Sequence, residues 1–515
     1  MNVLFLLVGE NSINHVSETK LSTHRTVLYM IRLLRKHGHN ATYYMKSLDK
    51  VDYDYLDKCK PDIICLESGP DENLITWAKS TGAIIGMGTG TFPGKEVAMK
   101  FLEAYDWLNF VVIGGEPYNT WIEVTRSIEA EEGFKNIKGV AYRDGSEIKI
   151  NDGRYDFDIN DFDDTDILLS HGLSSAIICT SLGCIGNCTF CSEKLEHKKW
   201  QGRKIEKVIE EIKNYTDKGC LFFQFADTEI EAPDIRLERL TKLCKGMISL
   251  NQPISYQAMF RPDFARKTTP EIMDLLIESG LYEAFIGAES GCQKDLDLFN
   301  KRCSVQDVKD TINLFESYGI HTKIGFIMFH PFSTIESLEQ NVELLEDLGK
   351  ADFNTISNIY YANGNDRLTI KTDEEGLYCK DNNKWSFKDS KISSLFFYIY
   401  YFFNTMKDTL VRYDGVVSSY GWYRSIYGLY ENNIEKRNAL LAYYKRVSST
   451  MQFISTILCI WFRKLIEVTK EGFTDEKAVS VSLSFLNKDL LNDVTDYLER
   501  ETKKLNKIIS VKESE

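Results

Sequence analysis

The chain has 515 residues, enough for two or three domains that each bury a core. Its net charge of −14 excludes a dedicated nucleic-acid binder, which would carry a basic face. The opening MNVLFLLVGEN has no basic n-region and no small-residue cleavage site, so a cytoplasmic protein is expected.

The first part alternates short apolar runs with helical patterns. VLFLLVG (3–9) reads as a buried strand, and 24–39 follows as a helix with apolar residues at helical spacing. Strands are predicted at 41–45, 62–67, 83–88 and 110–115, with helices at 71–81, 95–105 and 117–129. Such alternation implies a doubly wound, Rossmann-like parallel sheet over 1–150. A hairpin turning at Asp144-Gly145 closes it. The acidic stretch 151–170 reads as an exposed linker, because its charges would be costly to bury.

A second alternating run occupies 171–365. Strands are predicted at 176–180, 221–226, 255–260, 284–288, 322–328 and 354–359, and helices at 203–217, 234–249, 270–279, 304–318 and 334–348. These βα units suggest a partial (β/α)6 barrel, whose chemistry gathers at the C-terminal ends of the strands. Residues 366–515 form a helical, aromatic-rich C-terminal domain. Its most apolar segment, Ser393 to Met406, is too short to span a bilayer, which needs roughly 20 apolar residues, and reads as a buried helix.

Most of the cysteines are scattered in apolar company, which suits free thiols in a reducing compartment. Cys184, Cys188 and Cys191 stand apart. They share the segment TSLGCIGNCTFCSEK, immediately after the first predicted barrel strand. Thiolates bind soft metals and iron–sulfur clusters. Three are one too few for a closed zinc site, but they leave one iron of a [4Fe–4S] cluster open to a small molecule. Gly183 and Gly186 allow the loop to wrap closely, and Phe190 can shield what it holds.

The segment C-I-G-N-C-T-F-C resembles the C-x-x-x-C-x-x-C motif of radical S-adenosylmethionine (radical SAM) enzymes. The resemblance implies that the open iron chelates the methionine part of SAM, and that reductive cleavage yields a radical that abstracts hydrogen from carbon. FFQFADTEIE (222–231) resembles the family's second strand end and makes Asp227 and Glu229 candidates for holding SAM. YQAMFRPDF (256–264) places Arg261 in the usual basic position. FIGAESG (285–291) resembles the Gly-x-Glu-Ser-Gly pattern, which carries SAM contacts to Glu289 and Ser290. KIGFIMFHPFSTIES (323–337) resembles the fifth-strand segment, but Phe329 to Thr334 lack the family's glycines.

The first domain resembles the cobalamin-binding domain that precedes the barrel in one large subfamily. KPDIICLESGPDENL, TGAIIGMGTGTFP and NFVVIGGEPYNTWIEV follow in the expected order. No Asp-x-His-x-x-Gly motif supplies a histidine ligand to cobalt, so cobalamin is left open; His15, His24 and Arg25 lie in an unusual loop that could touch a ligand. With cobalamin, the resemblance implies C-methylation of a peptide or small natural product. Without it, a radical peptide epimerase is the alternative, with Cys379 as hydrogen donor and Cys292 and Cys303 as lesser candidates. An electron donor such as flavodoxin or ferredoxin is implied. Nucleic acid and a membrane span are not expected as partners.

Overall fold

The computed structural model describes residues 1–9, 27, 29–47, 51–66, 72–88, 95–114, 117–161, 175–234, 236–362, 365–380, 382–430 and 433–510. They divide into two compact units. The first comprises Met1–Ile185 and Ser192–Cys220, the second Gly186–Cys191 and Leu221–Glu515.

The first unit is built on a seven-stranded sheet in the order β2-β1-β3-β4-β5-β6-β7. Its strands are β1 (Asn2–Gly9), β2 (Asn40–Ser47), β3 (Ile63–Leu66), β4 (Ile84–Met87), β5 (Phe110–Val112), β6 (Val140–Asp144) and β7 (Glu147–Ile150). The first five run parallel and the last two return as the expected hairpin. Gly145, at φ 61°, makes the turn. Residues 29–36 are helical, and α1 (Tyr53–Cys59), α2 (Glu72–Ser80), α3 (Lys95–Ala104) and α4 (Pro117–Glu129) complete the alternation. The reversal of strand order between β1 and β3 is the switch point at which open parallel sheets bind ligands, at the carboxyl ends of their strands. The segment holding His15, His24 and Arg25 lies outside the described residues.

Both sheet faces are dry. One buries Phe5, Phe110 and Trp121, and the other Leu6, Ile64 and Val111. Trp121 packs its ring 5.4 Å from Phe110 and donates its indole N–H to the Gly88 carbonyl at 2.9 Å. A Cβ on Gly86 would sit 2.2 Å from the Phe110 ring, so glycine in β4 lets that aromatic lie flat against the sheet.

The acidic stretch is not a free linker as far as Asp161. Asp156 and Asp158 are exposed while Arg154, Phe157 and Ile159 are buried, and Arg154 pairs with Glu123 at 2.7 Å. The period of two turns the carboxylates outward and seats the apolar residues on the sheet domain's core. The first unit also contains β8 (Ser175–Ile178), β9 (Ser181–Leu182), β10 (Gln201–Gly202) and α5 (Ile205–Thr216). Cys179 and Leu182 share the hydrophobic core of the N-terminal sheet.

In the second unit β11 (Phe222–Phe225), β12 (Ser255–Phe260), β13 (Leu281–Glu289) and β14 (His321–Phe326) run parallel in the order β14-β13-β12-β11. They alternate with α6 (Glu238–Ser249), α7 (Pro270–Glu278), α8 (Gln293–Leu298), α9 (Val305–Ser317) and α10 (Ile335–Leu348). The strand expected at 354–359 is instead α11 (Phe353–Ser357). Asp352 accepts from the Thr355 N–H at 2.6 Å and Thr355 reciprocates, a capping box that overrides the β preference of the apolar residues. What remains of a sixth strand is a single parallel bridge between Phe329 and Ile359.

Helices α12 (Arg367–Glu374), α13 (Ser390–Thr405), α14 (Lys407–Ser425), α15 (Ile434–Gly472), α16 (Asp475–Phe485) and α17 (Lys488–Ile509) follow, with a small hairpin β15 (Tyr378–Cys379) and β16 (Lys384–Trp385). The apolar segment at 393–406 buries one face only. Ile392, Leu395, Ile399 and Phe403 are inside, whereas Phe397, Tyr400 and Tyr401 are exposed. Among the described residues no helix is long and apolar enough to cross a membrane.

Replacing Gly86 by Ala is expected to destabilise the first unit by about 1–3 kcal/mol through overpacking against Phe110. A thermal scan should show a lower first melting midpoint, with the later transition unchanged.

Candidate active site

The cysteine loop leaves the first barrel strand. Cys184 belongs to the first unit, and Cys188, Phe190 and Cys191 to the second. All three thiols are half-buried, and none is in a disulfide. Among the described residues no three His, Cys, Asp or Glu side chains converge on a single ion.

Within the second unit the loop is pinned from two sides. Thr189 donates its N–H to the Phe299 carbonyl at 2.9 Å and its hydroxyl to the Leu298 carbonyl at 2.8 Å. Asn300 donates to the Asn187 carbonyl at 2.7 Å, and Arg367 donates to the same carbonyl. The Leu368 N–H, at the start of α12, donates to the Thr189 carbonyl at 2.9 Å. Phe190 packs edge-on against Phe299 at 5.3 Å, in an apolar cluster with Ile327, Tyr360 and Leu368.

Beside this loop lies a buried array of charge. Lys301 holds Glu289 at 2.8 Å and stands 6.0 Å from the centre of the Phe190 ring. Arg261 lies 3.6 Å from Glu229 and 3.2 Å from Asp263, and donates to the Lys301 carbonyl at 3.2 Å. Burial pushes the Cys188 thiol up, while Lys301 and Arg261 pull it back toward the thiolate. Burial opposes the charge on Lys301, but Glu289 and Cys188 outweigh it and hold the ammonium above its ordinary value. The cations thus face the position from which an anionic, thiolate-ligated group would be held, and the donor set fits an iron–sulfur cluster.

Glu289 adopts φ 64°, a left-handed conformation that costs a non-glycine residue energy and is characteristic of functional sites. Two glycines of the Gly-x-Glu-Ser-Gly segment explain themselves sterically. A Cβ on Gly287 would sit 2.7 Å from the Lys301 ammonium and 2.8 Å from the Glu289 carboxylate. A Cβ on Gly291 would sit 2.4 Å from the Gln340 carbonyl of α10.

Ser290, expected near SAM, is held by the protein itself in this structure. It is fully buried, 3.0 Å from Asp295 and 2.7 Å from Asn341, and it accepts the Cys292 N–H at 3.0 Å. It therefore braces the turn that holds Glu289. Asp295 in turn lies 3.2 Å from His330, which is wholly buried. The fifth-strand segment thus replaces the family glycines with His330 on this network and with Phe329, which packs against Phe396 and Phe462 of the C-terminal helices.

Asp227 and Glu229 are each 1% exposed at the end of β11, beside Arg261 on β12's continuation. Glu231, 2% exposed, accepts the Arg261 N–H at 2.9 Å. Cys379 is exposed on β15, and Cys292 and Cys303 are buried. Sequence reasoning missed Lys301, Asn341 and Asp295. A lysine at the start of a turn, or an asparagine inside a helix, carries no local pattern that separates it from surface residues.

Residues 178–345 match the family model of the Radical SAM superfamily. Over that segment the chain is similar to a family that works with a [4Fe–4S] cluster and SAM. The chain's fold is that of cobalamin-dependent radical SAM enzymes over nearly the whole length. It superposes on the enzyme OxsB with aqua-cobalamin bound, at 18% identity and a TM-score of 0.68, covering 99% of this chain and 80% of that one. The methyltransferase TsrM from Kitasatospora setae, with cobalamin and a [4Fe–4S] cluster bound, matches at 14% identity and a TM-score of 0.53, covering 68% of this chain and 73% of that one. In sequence, the anaerobic magnesium-protoporphyrin IX monomethyl ester cyclase of Cereibacter sphaeroides is 25% identical over 351 residues, 62% of this chain. That match spans 56% of the relative's own length.

Burial pushes the Glu231 carboxyl from its ordinary value near 4.5 up to about 7. A raised folded-state value means that the fold binds the proton more tightly than the unfolded chain. The stability it contributes is full below about 4.5 and is lost as pH rises through about 7. Glu231→Gln is therefore expected to raise the melting midpoint by about 3 °C at pH 8 and by much less at pH 5. Paired thermal scans at the two pH values check it.

Proposed function

We propose that this chain reductively cleaves SAM at a [4Fe–4S] cluster held by Cys184, Cys188 and Cys191, and abstracts hydrogen from an unactivated carbon of a peptide or small natural product for cobalamin-dependent C-methylation. The observation that carries the reading is the cysteine loop hydrogen-bonded to the segment after β13, beside the Glu289–Lys301 pair. It supports one site in which a cluster ligand, Cys188, and the residues for a zwitterionic ligand face each other. The cluster, when bound, supplies the electron that opens the sulfonium of SAM.

The chain's own residues have the following roles in this reading. Lys301 fixes the carboxylate of Glu289 and presents positive charge to the cluster side. Glu289, with Asp227 and Glu229, receives the ammonium and ribose of SAM. Arg261 balances the buried carboxylates, and Phe190 with Phe299 keeps water from the loop. Ser290 acts on Glu289 through the turn. Cobalamin would sit at the carboxyl edge of the first sheet, where β1 and β3 diverge. The whole-chain likeness to a cobalamin-bound radical SAM enzyme supports this. A low-potential donor of the flavodoxin or ferredoxin type, in the cytoplasm, completes the scheme. The epimerase alternative gains nothing from the structure: Cys379 lies exposed on a hairpin, and none of the three proteins compared above is named an epimerase.

Three outcomes follow. Cys188→Ala is expected to abolish cluster loading and 5′-deoxyadenosine production after anaerobic reconstitution, and full production by that variant would refute the ligand assignment. Lys301→Met is expected to keep the fold and bind iron but to weaken SAM binding about tenfold or more, since it strands Glu289 without its buried partner. Equilibrium dialysis with labelled SAM checks it. Cobalamin retained at one per chain after reconstitution with hydroxocobalamin supports methyl transfer, and its absence contradicts that part of the proposal.

A further inference from the structure

Apart from the site just described, the first unit contains a buried ion pair whose placement calls for a reason. Arg203 is 2% exposed and Glu211 4%, and they meet at 2.5 Å. A buried pair of this kind stabilises little compared with apolar packing, so its value lies in what it positions.

Each partner holds something else. The Arg203 guanidinium also donates to the Cys179 carbonyl at 3.0 Å, and the Arg203 N–H donates to the Thr180 carbonyl at 2.8 Å. Glu211, on α5, accepts the Tyr29 hydroxyl at 2.9 Å. Tyr29 lies in the helical stretch 29–36 of the N-terminal sheet domain. The three residues thus run from that domain to Cys179 and Thr180, the two residues that precede β9.

Those residues are the base of the cysteine loop. β9 pairs antiparallel with β10 through Ser181–Gly202 and Leu182–Gln201, so the chain enters and leaves residues 183–200 at one point. The two arms touch just beyond the ladder. Gly183 has φ 77°, and a Cβ there would sit 2.5 Å from the Lys199 carbonyl. Lys194 donates to the Cys184 carbonyl. Arg203 is the first residue after the ladder, and its Nη1 joins the entering strand to Glu211 while its backbone closes the exit.

We infer that Tyr29, Glu211 and Arg203 are positioning residues for the cysteine loop, a buried relay by which the N-terminal sheet domain clamps the base of the segment that carries Cys184, Cys188 and Cys191. The consequence for cluster retention rests on the ligand assignment made above. The closure of the loop does not.

The test uses the full chain in two states. In metal-free protein, trypsin reaches the exposed Lys198 and Lys199. Tyr29→Phe removes one hydroxyl, and Arg203→Met removes the guanidinium. Both are expected to speed cutting at these lysines about fivefold or more, with the rate at sites elsewhere unchanged. Arg203→Lys keeps the charge but not the reach and fixed donor geometry of the guanidinium, and should keep only part of the protection. In reconstituted protein, the same variants should lose iron to a chelator correspondingly faster, with broadened resonance signals from the reduced cluster. Cutting at the wild-type rate in Tyr29→Phe and Arg203→Met would overturn the inference, as would acceleration spread evenly over the chain. If Arg203→Met does not fold, Tyr29→Phe and Arg203→Lys decide. If the wild-type chain takes up no cluster, the proposed function fails, and the metal-free cutting rates still settle the clamp.

Discussion

The second unit is organised around a charge that must be kept dry. Lys301 and Glu289 meet at 2.8 Å with about a tenth of each side chain exposed. Such a pair survives only when its geometry is fixed on every side. Gly287 leaves the space beneath it, Arg261 bonds the Lys301 backbone, and Phe190 covers the ammonium. The strained conformation of Glu289 is held by Ser290, Asn341 and Asp295 behind it. The Gly287 segment, Arg261 and the aromatic of the cysteine loop therefore all meet at one buried ion pair.

The C-terminal helices belong to the same constraint. A barrel that ends after β14, with only a bridge in place of a sixth strand, leaves its last edge to be covered. Phe329 meets Phe396 of α13 and Phe462 of α15, and the Ala351 N–H donates to Ser455 on α15 at 3.0 Å. The start of α12 reaches back to Thr189 in the cysteine loop. The long helical region thus closes the domain and braces the site. The aromatic replacements in the fifth-strand segment are what attach it.

Most elements were legible because their patterns are strong. Apolar runs bounded by glycine gave the parallel strands, and three helices of the first unit begin and end within a residue or two of expectation. The failures have physical causes. A capping box at Asp352 and Thr355 outweighed the strand pattern at 354–359. Alternation of acids with Phe157 and Ile159 was hidden behind a charge count, so an anchored segment read as a linker. The Gly-x-Glu-Ser-Gly segment drew attention to this turn, but the contacts made within it were not legible. Ser290 is spent on Asn341 and Asp295, and the cation that faces Glu289 comes from Lys301, twelve residues on. Contacts of that range leave no periodic trace in a single sequence.

The claim on which all this depends is that the cysteine loop and the Glu289–Lys301 pair serve one cofactor site. The most direct measurement is the low-temperature electron paramagnetic resonance spectrum of the anaerobically reconstituted, reduced protein, recorded before and after adding SAM. The account predicts the signal of a reduced [4Fe–4S] cluster whose g-values shift on SAM addition, with the shift lost in a Glu289→Gln variant that keeps its iron. A cluster signal indifferent to SAM, or a shift retained in full by Glu289→Gln, would contradict it.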